Sequence, residues 1–361
     1  MRSVQIGIVL TILLVLAHAA WGFDVMILLG GGSNSSSDAL KSALLAEPMI
    51  ESATVVQAYG QPQSVEVLAG YDVVFANGID GFMGTGEQGD HLADYIDLGG
   101  ALVADANACI ITVDTGLGGR LVSDDYLPVQ CASETYGGEM YLGGCEDEHL
   151  IMSGVDTLHG KFGGVHYCGH SDESQWVAYW TGSEDLVYTW GPVVGINLDY
   201  DNYYVVDDAG QLASNAAVYA WTQTPPKAKL IDPDSAPNNG PIGVWITGGP
   251  FWEGGTEAWL VGPAKAEIPG QNLQVQPGWH DLLCDFDLTG AEPGLYDVVV
   301  VNPIGLGGMA GGFTVTEGTG DDDDDTGDDD SGDDDAGDDD DDDDDDDGGG
   351  CGCSMTDFGS D

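Results

Sequence analysis

The chain has 361 residues, with 7 Lys and Arg set against 63 Asp and Glu, a formal net charge of −56. From Asp321 onward lie 23 of the acids and no base, so the first 320 residues still carry −33. That balance excludes binding to a nucleic-acid backbone or an anionic membrane surface, both of which need clustered Lys and Arg. A hydrophobic content of 42% excludes a chain disordered throughout.

Arg2 precedes an apolar run over residues 4–17, and Ala17, Ala19, Ala20 and Gly22 follow as small residues. This is the layout of a secretory signal peptide over residues 1–22, with cleavage after Ala19 or Gly22. The run is short of the roughly 20 residues a spanning helix needs. The expectation is a secreted or cell-surface protein with no membrane span left after cleavage. Export would place the seven cysteines in an oxidising compartment. Of the four between residues 109 and 168, a Cys131–Cys145 pair is favoured, because Gly137, Gly138, Gly143 and Gly144 suit a tight excursion between them.

Residues 25–29 form a continuous apolar run, the signature of a strand buried on both faces. Gly30-Gly31-Gly32 follows, and Ser35-Ser36-Ser37-Asp38 reads as a variant capping box ahead of a helix carrying Leu40, Ala43 and Leu44. Residues 53–57 and 71–76 read as strands. The spacing of Gln88, Leu92, Tyr95 and Ile96 predicts a helix closed by Gly99-Gly100, and residues 101–104 read as a fourth strand. The alternation argues for an α/β domain with a largely parallel sheet. Further strands are expected over 176–180, 186–190 and 193–198, then a helix through Leu212, Ala216 and Tyr219. Thr224-Pro225-Pro226 is the expected boundary. Beyond it, short strands at 244–247, 258–261, 282–288, 296–301 and 313–315 alternate with Gly and Pro turns, which points to a small β-sandwich. The Asp-rich run after Gly320 cannot offset its ordering entropy and is expected to be a disordered spacer, with a reach on the order of 100 Å.

Three stretches resemble known families. FDVMILLGGG, YDVVFANG, LADYIDLGGALVADANA, LGGRLVSDDYLPV, HLIMSGVDTL and WVAYWTGSEDLV make residues 23–224 similar to the class I glutamine amidotransferase-like fold of secreted bacterial proteins. LIDPDSAPNNGPIGVWITGGPFW, FDLTGAEPGLYDVVVVNPIG and GGFTV make residues 228–316 similar to an IPT/TIG, immunoglobulin-like domain. The Asp run ending in GGGCGC resembles the linker and cysteine motif ahead of C-terminal surface-sorting signals in myxobacteria-like exported proteins. That resemblance implies a disordered linker over 317–350 and sorting or lipidation at Cys351 or Cys353. The apolar helix and Arg cluster that follow in those signals are not present in SMTDFGSD.

Amidotransfer needs a thiolate on a strand-to-helix turn, flanked by glycines, with a His base oriented by an acid. Cys109, His170 and Asp172 are the candidate set. Cys109 stands between Ala108 and Ile110, without the glycine elbow, and no His-x-Glu occurs in the chain. The expectation is therefore a non-enzymatic interaction protein on a degenerate scaffold, with a cysteine-dependent amidase or hydrolase using Cys109 as the alternative and a carbohydrate-binding or adhesion module as the second. His166, Cys168 and His170, two apart on a strand, would share one face and would suit zinc or copper; packed or surface histidines are the default. Gly30–Gly32 lacks the pattern of a phosphate loop and reads as a tight turn. Trp245, Trp252, Trp259 and Trp279 would stack on sugars or fill the sandwich core. The partner expected is a surface protein or a glycan, and no resident cofactor is expected beyond weak Ca²⁺ association with the Asp-rich run.

Overall fold

The structure is a computed structural model that describes residues 22–318 apart from 80, 83–84, 112–114, 162 and 202–204. The signal-peptide, acidic-run, Ca²⁺ and Cys351/Cys353 expectations lie outside the described residues. In chain order the first half contains β1 (Phe23–Leu29), α1 (Asp38–Leu44), β2 (Ile50–Gln57), α2 (Val65–Leu68), β3 (Val73–Asn77), α3 (Thr85–Asp97), β4 (Ala101–Ala104) and α4 (Arg120–Ser123). Then come β5 (Val129–Thr135), β6 (Met140–Cys145), β7 (His159–Gly160), β8 (His166–His170), β9 (Gln175–Trp180), β10 (Asp185–Trp190), β11 (Val193–Ile196) and α5 (Ala209–Thr222).

Nine of these strands form one mixed sheet in the order β2-β1-β3-β4-β11-β10-β9-β6-β7. The five from β2 to β11 are parallel, while β10, β9, β6 and β7 extend the sheet antiparallel. The largely parallel expectation therefore holds only for the β2–β11 side. The inner parallel strands β1, β3, β4 and β11 are almost wholly buried because both faces are covered, while the edge strand β2 carries exposed polar residues. Along β1, Phe23, Val25 and Ile27 pack on one face with Leu40 and Leu44 of α1 and with Leu212, Ala216 and Trp221 of α5. Met26 and Leu28 pack on the other with Leu68 of α2 and with Leu92, Tyr95 and Ile96 of α3. Helix α3 ends as read from the sequence: Gly99 adopts φ +85°, and the amides of Gly99 and Gly100 bond back to Ile96 and Tyr95. At α1 the Ser37 hydroxyl donates to Asn34 O instead of capping the helix, so the expected capping box does not form.

The second half holds β12 (Lys227–Asp232), β13 (Ser235–Pro237), β14 (Pro241–Gly249), β15 (Glu257–Val261), β16 (Glu267–Val275), β17 (Asp281–Asp287), β18 (Gly294–Asn302) and β19 (Gly305–Thr316). Where the sequence suggests two stacked sheets, these strands form one continuous sheet, β12-β14-β17-β16-β15-β18-β19-β13. The long β16 explains the difference: its first residues pair with β15 and its later ones with β17. The sheet curls so that β12 packs on β19, and Val244, Ile246, Leu260, Phe286, Val298 and Phe313 fill its interior.

The segment joining the halves is pinned on both sides. Thr224 O accepts a bond from Asn302 Nδ2 (3.2 Å), and Trp252 Nε1 donates to Thr222 O (3.2 Å). Asp72, just before β3, meets Lys227 and Lys229 of β12 at 3.3 and 2.9 Å.

Candidate functional site

The C-terminal ends of adjacent parallel strands are where open α/β sheets place ligands. Here the segments leaving β3, β4 and β11 enclose a pocket of about 420 Å³, lined by Gly78, Ile79, Asn107, Ile110, Asp199 and Asp201 among others. Asp105 is the first residue after β4. Its Oδ1 accepts the amides of Gly78 (3.0 Å) and Ala108 (2.9 Å), which fold the 105–108 turn against the β3 loop. Glycine is required at 78, because a Cβ there would lie 2.5 Å from Ala108 N.

Asp105 is fully buried, and its Oδ2 has no hydrogen-bond partner among the described residues. Burial, and then the nearby Asp199 carboxylate, push its pKa well above the ordinary aspartate value. Tyr200 is also fully buried with its hydroxyl unpartnered, and burial followed by the charge of Asp105 pushes that phenol up. The turn is braced from outside by β5: Cys131 N donates to Cys109 O (2.9 Å), and Ile111 N to Cys131 O (3.0 Å).

Cys109 stands four residues past Asp105, with its amide bonded to Asp105 O. Its Sγ donates to Ala104 O (3.6 Å), the side chain is buried, and burial then Asp105 raise the thiol well above its usual pKa. The side chain that the turn presents to the pocket is Asn107. His170 is exposed on β8, with Nδ1 2.9 Å from Asp185 Oδ2 and its ring stacked on Tyr188 at 4.4 Å. The carboxylate it meets is that of Asp185, while Asp172 is exposed in the following turn. Of the candidate set, Cys109 is buried whereas His170 and Asp172 are exposed.

Cys131 bonds Cys168, a correction to the Cys131–Cys145 expectation. The reason is register: antiparallel β5 and β8 set Cys131 opposite Cys168, whereas Cys145 sits on β6 and its thiol donates to Asp147 (3.2 Å). The disulfide also removes the thiolate from the His166, Cys168, His170 set, and His166 is buried with Nδ1 against Ala132 O (3.0 Å). Among the described residues no group of three His, Cys, Asp or Glu is arranged to hold a metal ion. Gly30–Gly32 makes a turn, with Gly32 at φ +71° and Gly30 packed against Gly81 O. Trp245 lies on β14 and Trp259 on β15, while Trp252 and Trp279 meet at the junction of the two halves. Sequence reading passed over Asp105, Asp199 and Tyr200; the available signal was a lone acid directly after the wholly buried strand ALVA.

No family model matches the chain, and no curated protein matches it. Solved structures similar in fold include a ThuA-like protein from Bacteroides uniformis, at 10% identity and TM-score 0.44, covering 57% of this chain and 94% of that one. A glutamine amidotransferase from Thermotoga maritima is similar at 11% identity and TM-score 0.36, covering 50% of this chain and 76% of that one. A glutamine amidotransferase from Methylobacillus flagellatus is similar at 9% identity and TM-score 0.37, covering 56% and 96%. These likenesses concern the fold alone.

Proposed function

We propose that this chain is an exported, non-enzymatic interaction protein of the cell surface or extracellular space, built on an amidotransferase-like α/β scaffold. The observation that carries the reading is the state of Cys109. Its thiol is buried, bonded to a main-chain carbonyl and disfavoured as a thiolate. Export is supported by the layout of residues 1–22 and by the Cys131–Cys168 disulfide, since such bonds persist in oxidising compartments. In this reading residues 228–316, folded as one curled and mainly antiparallel sheet, serve as an interaction module, and the acidic run is a spacer.

The test is chemical. Native protein treated with iodoacetamide should keep Cys109 unmodified, as read by peptide mass spectrometry, and Cys109→Ala should leave glutamine, amide and ester hydrolysis at the buffer rate of the parent. A hydrolysis that the parent performs and Cys109→Ala loses would sink the reading and favour the amidase.

A further inference from the structure

A second cavity opens where the two halves meet. It holds about 300 Å³ and is lined by Leu150, Tyr219 and Gln223 from one half and by Trp252, Glu253 and Trp279 from the other, over a floor at Thr222. From this geometry we infer that the junction groove is a binding site for an uncharged pyranose unit of a glycan, an inference that rests on the binding-protein reading above and names its ligand class.

Three observations carry it. The aromatic platform is held rigidly. Trp252 donates its indole N–H to Thr222 O (3.2 Å) and its amide to Thr256 Oγ1 (2.6 Å), while its carbonyl accepts from Gly255 and Thr256. Trp279 takes φ +59°, a left-handed conformation that costs a bulky residue energy and persists where the surroundings impose it. Its amide bonds Gln276 O and its carbonyl accepts from Phe251 (2.7 Å). Both residues are only partly buried and both line the cavity, so aromatic surface held by these bonds borders the space a ligand would enter.

Second, polar groups are set among the aromatic ones. Gln223 uses Nε2 on Thr222 Oγ1 (3.2 Å), which leaves its Oε1 as an acceptor, and the Glu253 carboxylate is exposed at the rim. A pyranose presents an apolar C–H face for an indole and hydroxyl donors for such acceptors, the mix of apolar wall and few polar groups that defines small-ligand sites. The volume falls at the low end of the ~300–1,000 Å³ found for such sites, which suits a sugar unit better than a protein segment. Third, charge narrows the class. No Lys or Arg lines the groove, Glu253 is its one ionisable acid, and the first 320 residues carry −33, so acidic glycans are repelled.

The experiment titrates the secreted full chain with maltotetraose, cellotetraose, chitotetraose, tetragalacturonate and tetramethylammonium, reading tryptophan emission and calorimetric heat. At least one uncharged tetrasaccharide should bind, tetragalacturonate should not, and Trp279→Gly, which suits the left-handed backbone, should weaken binding by about tenfold or more. Glu253→Gln alters an exposed side chain and should weaken it severalfold with an unchanged thermal melt, so a folding defect in the tryptophan variant would not shield the idea. Silence from every uncharged sugar, preference for tetramethylammonium, or unchanged affinity in both variants would overturn the site. Cleavage of the bound sugar by the parent, seen by chromatography, would overturn the non-enzymatic reading and leave the groove standing.

Discussion

The junction between the halves and the C-terminal edge of the parallel sheet each contain a buried aspartate, and the two are treated in opposite ways. At the junction, Asp72 accepts from Lys227 on Oδ1 and from Lys229 and the amide of Asp24 on Oδ2. Burial alone would raise its pKa, but the two ammonium groups outweigh burial and hold the carboxyl below its ordinary value. At the sheet edge, Asp105 has amide donors on one oxygen, none on the other, and a second carboxylate nearby, so its pKa moves up. Two of the chain's seven Lys and Arg go to the joint and neither to the pocket. A buried acid that is fully paired acts as a structural tie. One left half-paired at a strand's C-terminal end, where ligands are bound in such sheets, has its pKa moved up instead.

The largest effect that would test this contrast is loss of the brace behind the pocket. Replacing Cys131 and Cys168 with Ser opens a link across a sequence separation of 37, worth about 3–4 kcal/mol in the chain-entropy account. Denaturant titration should show that loss, and hydrogen exchange should speed at Ile111, whose amide is bonded to Cys131. Unchanged exchange there would separate β5 from the support of the turn. Asp72→Ala comes next. Breaking a buried pair costs about 3–5 kcal/mol, but the lysines are a third or more exposed, so roughly 2 kcal/mol is expected. Because the folded pKa of Asp72 is lowered, its contribution is present above the unfolded value near 3.9 and is lost as pH falls through the folded value. The variant should therefore erase part of the parent's acid destabilisation. Gly78→Ala follows, at about 1–3 kcal/mol, since its Cβ would press on the backbone at Ala108.

The sequence made the α/β half legible because its signals were local. The apolar runs at 25–29 and 101–104 mark strands buried on both faces, and Gly99-Gly100 marks the end of α3. What escaped it depends on register and on distance along the chain. The Cys131–Cys168 bond follows from how β5 aligns with β8, and the single curled sheet follows from β16 pairing on both sides, neither of which periodicity encodes. The same holds for the sites. Trp252 and Trp279 were singled out for sugar stacking together with Trp245 and Trp259, but only the fold brings the first two beside Tyr219. Cys109 attracted attention as a thiol after a strand, whereas the turn presents Asn107 to the pocket and buries the sulfur.

The smallest change, and the one that bears most directly on the contrast, is Asp105→Asn. Asparagine keeps an Oδ1 for the amides of Gly78 and Ala108 and replaces Oδ2 with an NH₂ that stays uncharged at every pH. Below about pH 4 both the folded and the unfolded parent carry a neutral Asp105, so parent and variant should differ by under about 1 kcal/mol. As pH rises, the unfolded chain releases this proton near 3.9 while the fold retains it, because the folded pKa is raised. The parent then loses up to about 1.4 kcal/mol per pH unit relative to the variant, until the folded pKa is reached. Asp72 moves stability the other way at acid pH, so the two buried aspartates should give stability differences of opposite slope. Measured by urea titration between pH 3.5 and 6.5, a variant whose advantage grows with pH marks Asp105 as the proton-bearing acid of the sheet edge. A flat difference would mean that it ionises as an ordinary aspartate and that the asymmetry between the two regions is one of partners alone.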